Sequence, residues 1–268
     1  MRFIFVGGCA RSGTSLVQKL LASHSRIVGG PEFDHTAGIF ELYRSMSVEW
    51  RLARQSFYYE GSELARAFKD FYEGFFAPAV ERKAGADFVS EKTPSNIFAA
   101  KTLLELWPDA VFVNVVRDGR DVLLSHEDVN RRYRQRGERN PERDTLLSVS
   151  RHWNACADAY FSLISRPELR DRVFLIEFEK LVAEPKTELS RLFDFLGLTI
   201  EERQLCPEEI TEQETGVALE GAYFTKDLYR QPFNTGKTAR WRREMNPIKR
   251  TASTALLRTN LRRFHYPV

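Results

Sequence analysis

Residues 3 to 17 constrain the fold more than any other stretch: Phe3-Ile4-Phe5-Val6-Gly7-Gly8-Cys9-Ala10-Arg11-Ser12-Gly13-Thr14-Ser15-Leu16-Val17. The apolar run Phe3 to Val6 suits a buried strand. Gly7, Gly8 and Gly13 let the backbone turn sharply and come close to an anion. The apolar spacing of Leu16, Val17, Leu20 and Leu21 then suits a helix whose N-terminus faces that anion. Gly8 and Gly13 have the Walker A glycine spacing, but Thr14 stands where the lysine belongs, followed by Ser15. The cation sits inside the loop as Arg11. A loop without the lysine that reaches terminal nucleotide phosphates is suited to a different anionic group.

The rest of the chain repeats the alternation. Strand-like runs at residues 3–6, 88–90, 111–116 and 173–176 are separated by helical stretches. The pattern predicts one α/β domain over residues 1–268, with a central parallel sheet flanked by helices and a P-loop-like first turn. Ligands on such sheets gather at the carboxyl ends of the strands. Three chemically suggestive segments follow these runs: the glycine loop, Glu91-Lys92-Thr93-Pro94, and Arg117-Asp118-Gly119-Arg120. A helix is expected over residues 62–80, with Phe68, Phe71, Tyr72, Phe75 and Phe76 as a core-facing stripe. Others are expected over 145–165, from Glu184-Pro185, and from Asn246-Pro247. Residues 131–144 carry six arginines against three acidic residues and include Gly137 and Asn140-Pro141, which reads as a mobile loop.

A net charge of +3, with 43% hydrophobic and 29% charged residues, fits a globular protein and gives no sign of a nucleic-acid partner. Cys9, Cys156 and Cys206 are odd in number and far apart, without metal-ligand spacing or a disulfide framework. The first apolar stretch is too short for a membrane span and lacks a signal-peptide layout, so the expected location is cytoplasmic.

The second and third segments narrow the chemistry. Arg117 with Ser125 places a guanidinium fork and a hydroxyl where together they can hold one phosphate. An Arg117 ion pair to a neighbouring acid is the structural alternative. Taken together, the chain resembles the sulfotransferase family, which uses 3′-phosphoadenosine 5′-phosphosulfate (PAPS). The likeness is greatest to the tyrosylprotein sulfotransferases, through Phe5-Val6-Gly7-Gly8, Arg11-Ser12-Gly13-Thr14, His24, Glu32 and Arg117-Asp118-Gly119-Arg120. It continues more weakly through Ile176 to Val182, Pro232, Asn234 and Arg240-Trp241.

The resemblance implies that Arg11, Ser12, Gly13, Thr14 and Ser15 hold the 5′-phosphosulfate, and that Arg117 and Ser125 hold the 3′-phosphate. Arg240 stands where those enzymes have a cofactor-binding lysine. Glu32 matches their catalytic base and Lys92 their catalytic lysine; no metal is implied. Arg11 and Lys92 would neutralise charge on the transferred group and the leaving oxygen, while Glu32 takes the proton of an acceptor hydroxyl. His35 is the rival base. Glu32 could instead be an acid opening a helix, and Lys92 a surface group. Two departures matter: Asp34 replaces an arginine and Phe178 a tyrosine. The first points the acceptor away from acidic tyrosyl peptides, towards a neutral small molecule or carbohydrate. The competing functions are a P-loop kinase-like phosphotransferase, disfavoured by Thr14, and a non-catalytic nucleotide-binding module.

Overall fold

The computed structural model describes residues 1–140, 145–211, 215 and 230–268. Strands β1 (Arg2–Gly8), β2 (Ile27–Gly29), β3 (Phe88–Lys92), β4 (Val111–Val116) and β5 (Val173–Glu177) form one parallel sheet in the order β2-β3-β1-β4-β5. The helices in chain order are α1 (Thr14–Ala22), α2 (Thr36–Met46), α3 (Glu49–Gln55), α4 (Gly61–Arg82), α5 (Asn96–Leu106), α6 (Gly119–Gln135), α7 (Leu146–Ile164), α8 (Pro167–Arg170), α9 (Phe178–Ala183) and α10 (Pro185–Leu196). Beyond residue 230 the chain forms the helices Trp241–Glu244 and Pro247–Arg263.

Alternation along β1 builds two cores. Phe3 and Phe5 join Leu103, Leu104, Trp153, Leu257 and Leu261 on one face. Ile4 and Val6 join Leu20, Leu21, Leu192 and Phe193 on the other. Every β1 residue from Phe3 to Gly8 is buried, which explains its unbroken apolar run. Because β1 lies between β3 and β4, the chain crosses over it after β3, and this topological switch point is where the glycine loop emerges.

Local signals set the helix limits. Pro185 starts α10 and Gly197, at φ 71°, ends it. Thr145 and Ser148 make a reciprocal capping box for α7, and Asn246 caps Pro247–Arg263 by accepting from Lys249 N.

Three expectations are corrected. β3 runs on to Lys92, so Glu91 and Lys92 lie in the strand rather than after it. Residues 131–135 are the last turn of α6, not loop; helical neighbours such as Tyr133 and the preceding apolar turns carry the helix through the arginines, and residues 141–144 lie outside the described set. The aromatic stripe of α4 is only half inward. Tyr72 is buried and Phe76 packs on the core, whereas Phe71 and Phe75 are 56% and 49% exposed. The stripe is wider than the face that α4 offers the sheet.

Glu91 is the polar centre of this region. Its carboxylate accepts from Asn96 Nδ2 at 2.6 Å, Thr93 Oγ1 at 2.7 Å and Thr36 Oγ1 at 3.3 Å, tying β3 to α5 and α2. Burial pushes the Glu91 carboxyl up, opposed by those hydrogen bonds. A carboxyl raised by folding binds its proton more tightly in the folded state. Its stabilising effect is complete below the unfolded value of about 4.3 and is lost as pH rises through the folded value. Relative to Glu91→Gln, the wild type is therefore expected to lose denaturation free energy as pH rises from about 4 towards neutrality. A difference constant across that range in urea melts would contradict this.

Candidate functional site

The three segments that follow or end strands meet at one edge of the sheet because β3, β1 and β4 are neighbours. Gly8 N donates to Pro94 O at 3.0 Å, joining the glycine loop to the segment after β3. A Cβ on Gly8 would lie 2.3 Å from Val115 O of β4, and the residue has φ +139°, so no other residue fits here. Gly13 precedes α1 with φ +102°, and a Cβ there would sit 2.5 Å from the Phe178 ring. Phe178, the residue in place of a tyrosine, is thus the surface against which the loop packs.

These segments surround a cavity of about 760 Å³. Arg11, Gly13, Thr14, Ser15, Glu32, Arg117, Ser125 and Arg240 all line it. Ser12 is fully buried behind the loop, its Oγ lacking a hydrogen-bond partner. Lys92 reaches the cavity through two of its lining residues, forming a salt bridge with Glu32 and donating to Ser15 Oγ at 3.3 Å. Lys92 is 4% exposed, which removes the surface-group reading. Glu32 lies four residues before α2 and is not an acid of its first turn, which removes the helix-start reading. His35, an exposed residue whose ring meets Phe33 edge-on, is not among the cavity-lining residues.

Arg117 is 6% exposed and makes no ion pair among the described residues. Its guanidinium donates to Arg11 O at 3.3 Å and to Lys237 O, and lies 4.7 Å from the Phe178 ring centroid. Its Nε is buried without a partner. Burial pushes this guanidinium down while Asp121 and Glu179 push it back up; arginine stays charged in either case. Arg11 Nε donates to Ser125 Oγ at 3.1 Å, so the loop cation and the α6 hydroxyl form one donor cluster. Arg240 is held by Asp128 at 2.9 Å and by Glu244 at 2.7 Å, which raises its already high pKa.

Arg120 is a strut rather than a ligand. It makes a bidentate pair with Asp118 at 2.9 and 2.7 Å, beneath the Trp241 ring 3.6 Å away. That packing, with Glu179 Oε1 accepting from Asp118 N at 2.9 Å, fixes the start of α6.

Lys19, Arg132 and Lys237 also line the cavity, Arg132 coming from the arginine-rich stretch that begins at residue 131. Six lining cations thus face three carboxylates, Glu32, Asp34 and Asp128. An orphan guanidinium N–H, a helix N-terminus of a nine-residue helix and this charge excess fit a ligand with more than one anionic group.

Residues 4–202 match the family model described as Sulfotransferase family, and the chain belongs to that family. A protein-tyrosine sulfotransferase 2 from Gallus gallus is 26% identical over 245 residues, covering 90% of this chain and 63% of that protein. The chain therefore spans somewhat less than two thirds of that relative. The fold is shared with the sulfotransferase domain of an olefin synthase from Synechococcus PCC 7002, at a TM-score of 0.65 and 18% identity, covering 100% and 96% of the two chains. It is also shared with a mouse sulfotransferase complexed with PAP, at a TM-score of 0.58 and 13% identity over 97% and 85%. No helix among the described residues is long and apolar enough to cross a membrane.

The contact between Gly13 and Phe178 makes a direct test possible. Gly13→Ala is expected to cost about 1–3 kcal/mol from its positive φ alone, with the ring contact in addition. Phe178→Ala removes the ring, so the loss in the double variant should be smaller than the sum of the two single losses. Additive losses in urea melts would show that the contact does not restrain the loop.

Proposed function

We propose that the protein transfers a sulfuryl group from PAPS to an acceptor hydroxyl. The observation that carries this reading is the Lys92–Glu32 salt bridge, set between the phosphate-type loop and the cavity that also holds Arg117 and Ser125. When bound, PAPS supplies an activated sulfuryl group on a phosphate leaving oxygen. Arg11, Ser12, Gly13, Thr14 and Ser15 would hold its 5′-phosphosulfate, while Arg117 and Ser125 would hold its 3′-phosphate. Arg240 supports the same end, braced by Asp128 on α6 three residues from Ser125. The PAP complex of the mouse relative supports this donor class.

Lys92 touches both the base and the loop. It can leave Glu32 for charge developing beside Ser15, freeing the carboxylate to take a proton from the acceptor hydroxyl. Arg11 and the α1 N-terminus supply the remaining positive field. No step in this account requires a divalent metal.

The acceptor reading is a neutral small molecule or carbohydrate. Lys92 compensates Glu32, whereas Asp34, at φ 60°, is exposed at the cavity wall with its N–H on Thr93 Oγ1. An acidic peptide would meet that carboxylate, with Arg132 in the same cavity as the competing cation that the acceptor assay below weighs against it.

Glu32→Gln is expected to lower turnover by roughly 10²–10⁴-fold with adenosine 3′,5′-bisphosphate affinity nearly unchanged. High activity in Glu32→Gln together with an inactive His35→Ala would move the base to His35. Activity should survive excess EDTA; abolition by EDTA and rescue by magnesium would favour a phosphotransferase.

Arg117→Ala should bind the bisphosphate much more weakly, whereas its weaker binding of AMP should change little. In a side-by-side assay with labelled PAPS, neutral alcohols, phenols and sugars should outpace an acidic tyrosine peptide. The reverse order would overturn the acceptor reading.

A further inference from the structure

The cysteines that are far apart in sequence are not far apart in space. Cys9 Sγ, Cys156 Sγ and a ring nitrogen of His152 all lie within 4.8 Å of one another, and His152 Nε2 is 3.7 Å from Cys156 Sγ. Cys9 comes from the glycine loop; His152 and Cys156 occupy one turn of α7, four residues apart. No other group of three or more His, Cys, Asp or Glu among the described residues converges in this way. We propose that Cys9, His152 and Cys156 form a binding site for a thiophilic divalent ion of the zinc type, and that occupancy of this site restrains the glycine loop.

The geometry suits the ion. Tetrahedral zinc with Zn–S of about 2.3 Å and Zn–N of about 2.0–2.1 Å separates sulfur from nitrogen by about 3.6 Å and sulfur from sulfur by about 3.8 Å. The 3.7 Å pair already has this spacing, and the remaining contraction is at most about 1.2 Å. Two thiols and an imidazole are soft ligands that select zinc over magnesium or calcium. The ion binds both cysteines as thiolates, any thiol proton leaving to solvent, and the two thiolates balance the ion's charge. The two cysteines are buried, while His152 is exposed and lines the large cavity, giving the ion a path of entry and water a fourth position.

Occupancy would act through Cys9. This residue is held between Gly8, fixed on Pro94 and Val115, and Ser12, whose N–H donates to Cys9 O at 3.1 Å. Drawing its sulfur towards α7 shifts the loop amides, and displacements near 1 Å at such sites are costly to function. Zinc is therefore expected to weaken donor-product binding by about 5–150-fold. This coupling rests on the donor site proposed above; the metal site itself does not.

The test uses the full chain, reduced with a phosphine and freed of metal. Zinc should bind at one ion per chain in a competition titration, and cobalt(II) should produce a thiolate charge-transfer band. Cys156→Ser and His152→Ala should each weaken zinc by more than the roughly 10–100-fold that losing an outer partner costs, while Cys206→Ser should not. Circular dichroism checks that the variants fold; the cobalt spectrum of the wild type needs no variant.

An absent charge-transfer band, or equal zinc affinity in Cys156→Ser and wild type, would overturn the site. Zinc that binds without changing adenosine 3′,5′-bisphosphate affinity would overturn the coupling alone. A wild type that fails to bind the bisphosphate without zinc would count against the donor site instead.

Discussion

The arrangement depends on how closely the backbone at Gly8 approaches its neighbours. Its N–H is bonded to Pro94 O and its α-carbon faces Val115 O at a distance no side chain tolerates. At this one residue the exits of β3, β1 and β4 are drawn together. Lys92 ends β3 and Arg117 follows β4, so two cations arrive on either side of the loop with no long connection to order. Gly7 extends the same constraint, since a Cβ there would meet the Phe112 ring at 2.7 Å and Ile97 N at 2.9 Å. The cavity exists because the chain gives up side chains where three strands converge.

The charged groups around that junction divide into struts and ligands. Arg120 with Asp118 beneath Trp241 is satisfied inside the protein. Such groups stabilise position because a buried charge without partners would be expensive. Arg11, Arg117 and Lys92 differ in that they contact a hydroxyl, carbonyls and a carboxylate at the cavity, groups that an incoming anion could replace. Membership of the sulfotransferase family fits this division, and the cavity gives it a physical meaning in this chain.

Much of this was legible in the sequence, and the exceptions have physical causes. The glycine loop, the strand ends and Arg117 with Ser125 are local patterns, and parallel neighbours bring local patterns together. The five-strand sheet was legible apart from β2, whose three residues are too few to show a period. Periodicity marked α4 correctly as a helix but overstated its buried face, because spacing says which residues share a side and not how wide the covering surface is. Charge density at Arg131 to Arg136 suggested loop although helix formation tolerates arginine well. Cys9 and Cys156 looked unrelated because 146 intervening residues hide a contact made by packing; the only local sign was the four-residue spacing of His152 and Cys156.

Arg117 carries one further consequence. Its fork rests on Arg11 O and Lys237 O, so on the donor reading proposed above an arriving phosphate would exchange acceptors instead of filling a gap. Carbonyl dipoles solvate the cation, and a full negative charge would replace them on binding, with the guanidinium hardly needing to shed water. On that reading, the exchange would free the Lys237 carbonyl. Asn234, Lys237 and Arg240 line the same cavity, so occupancy at its phosphate end would be felt in the backbone of its own wall.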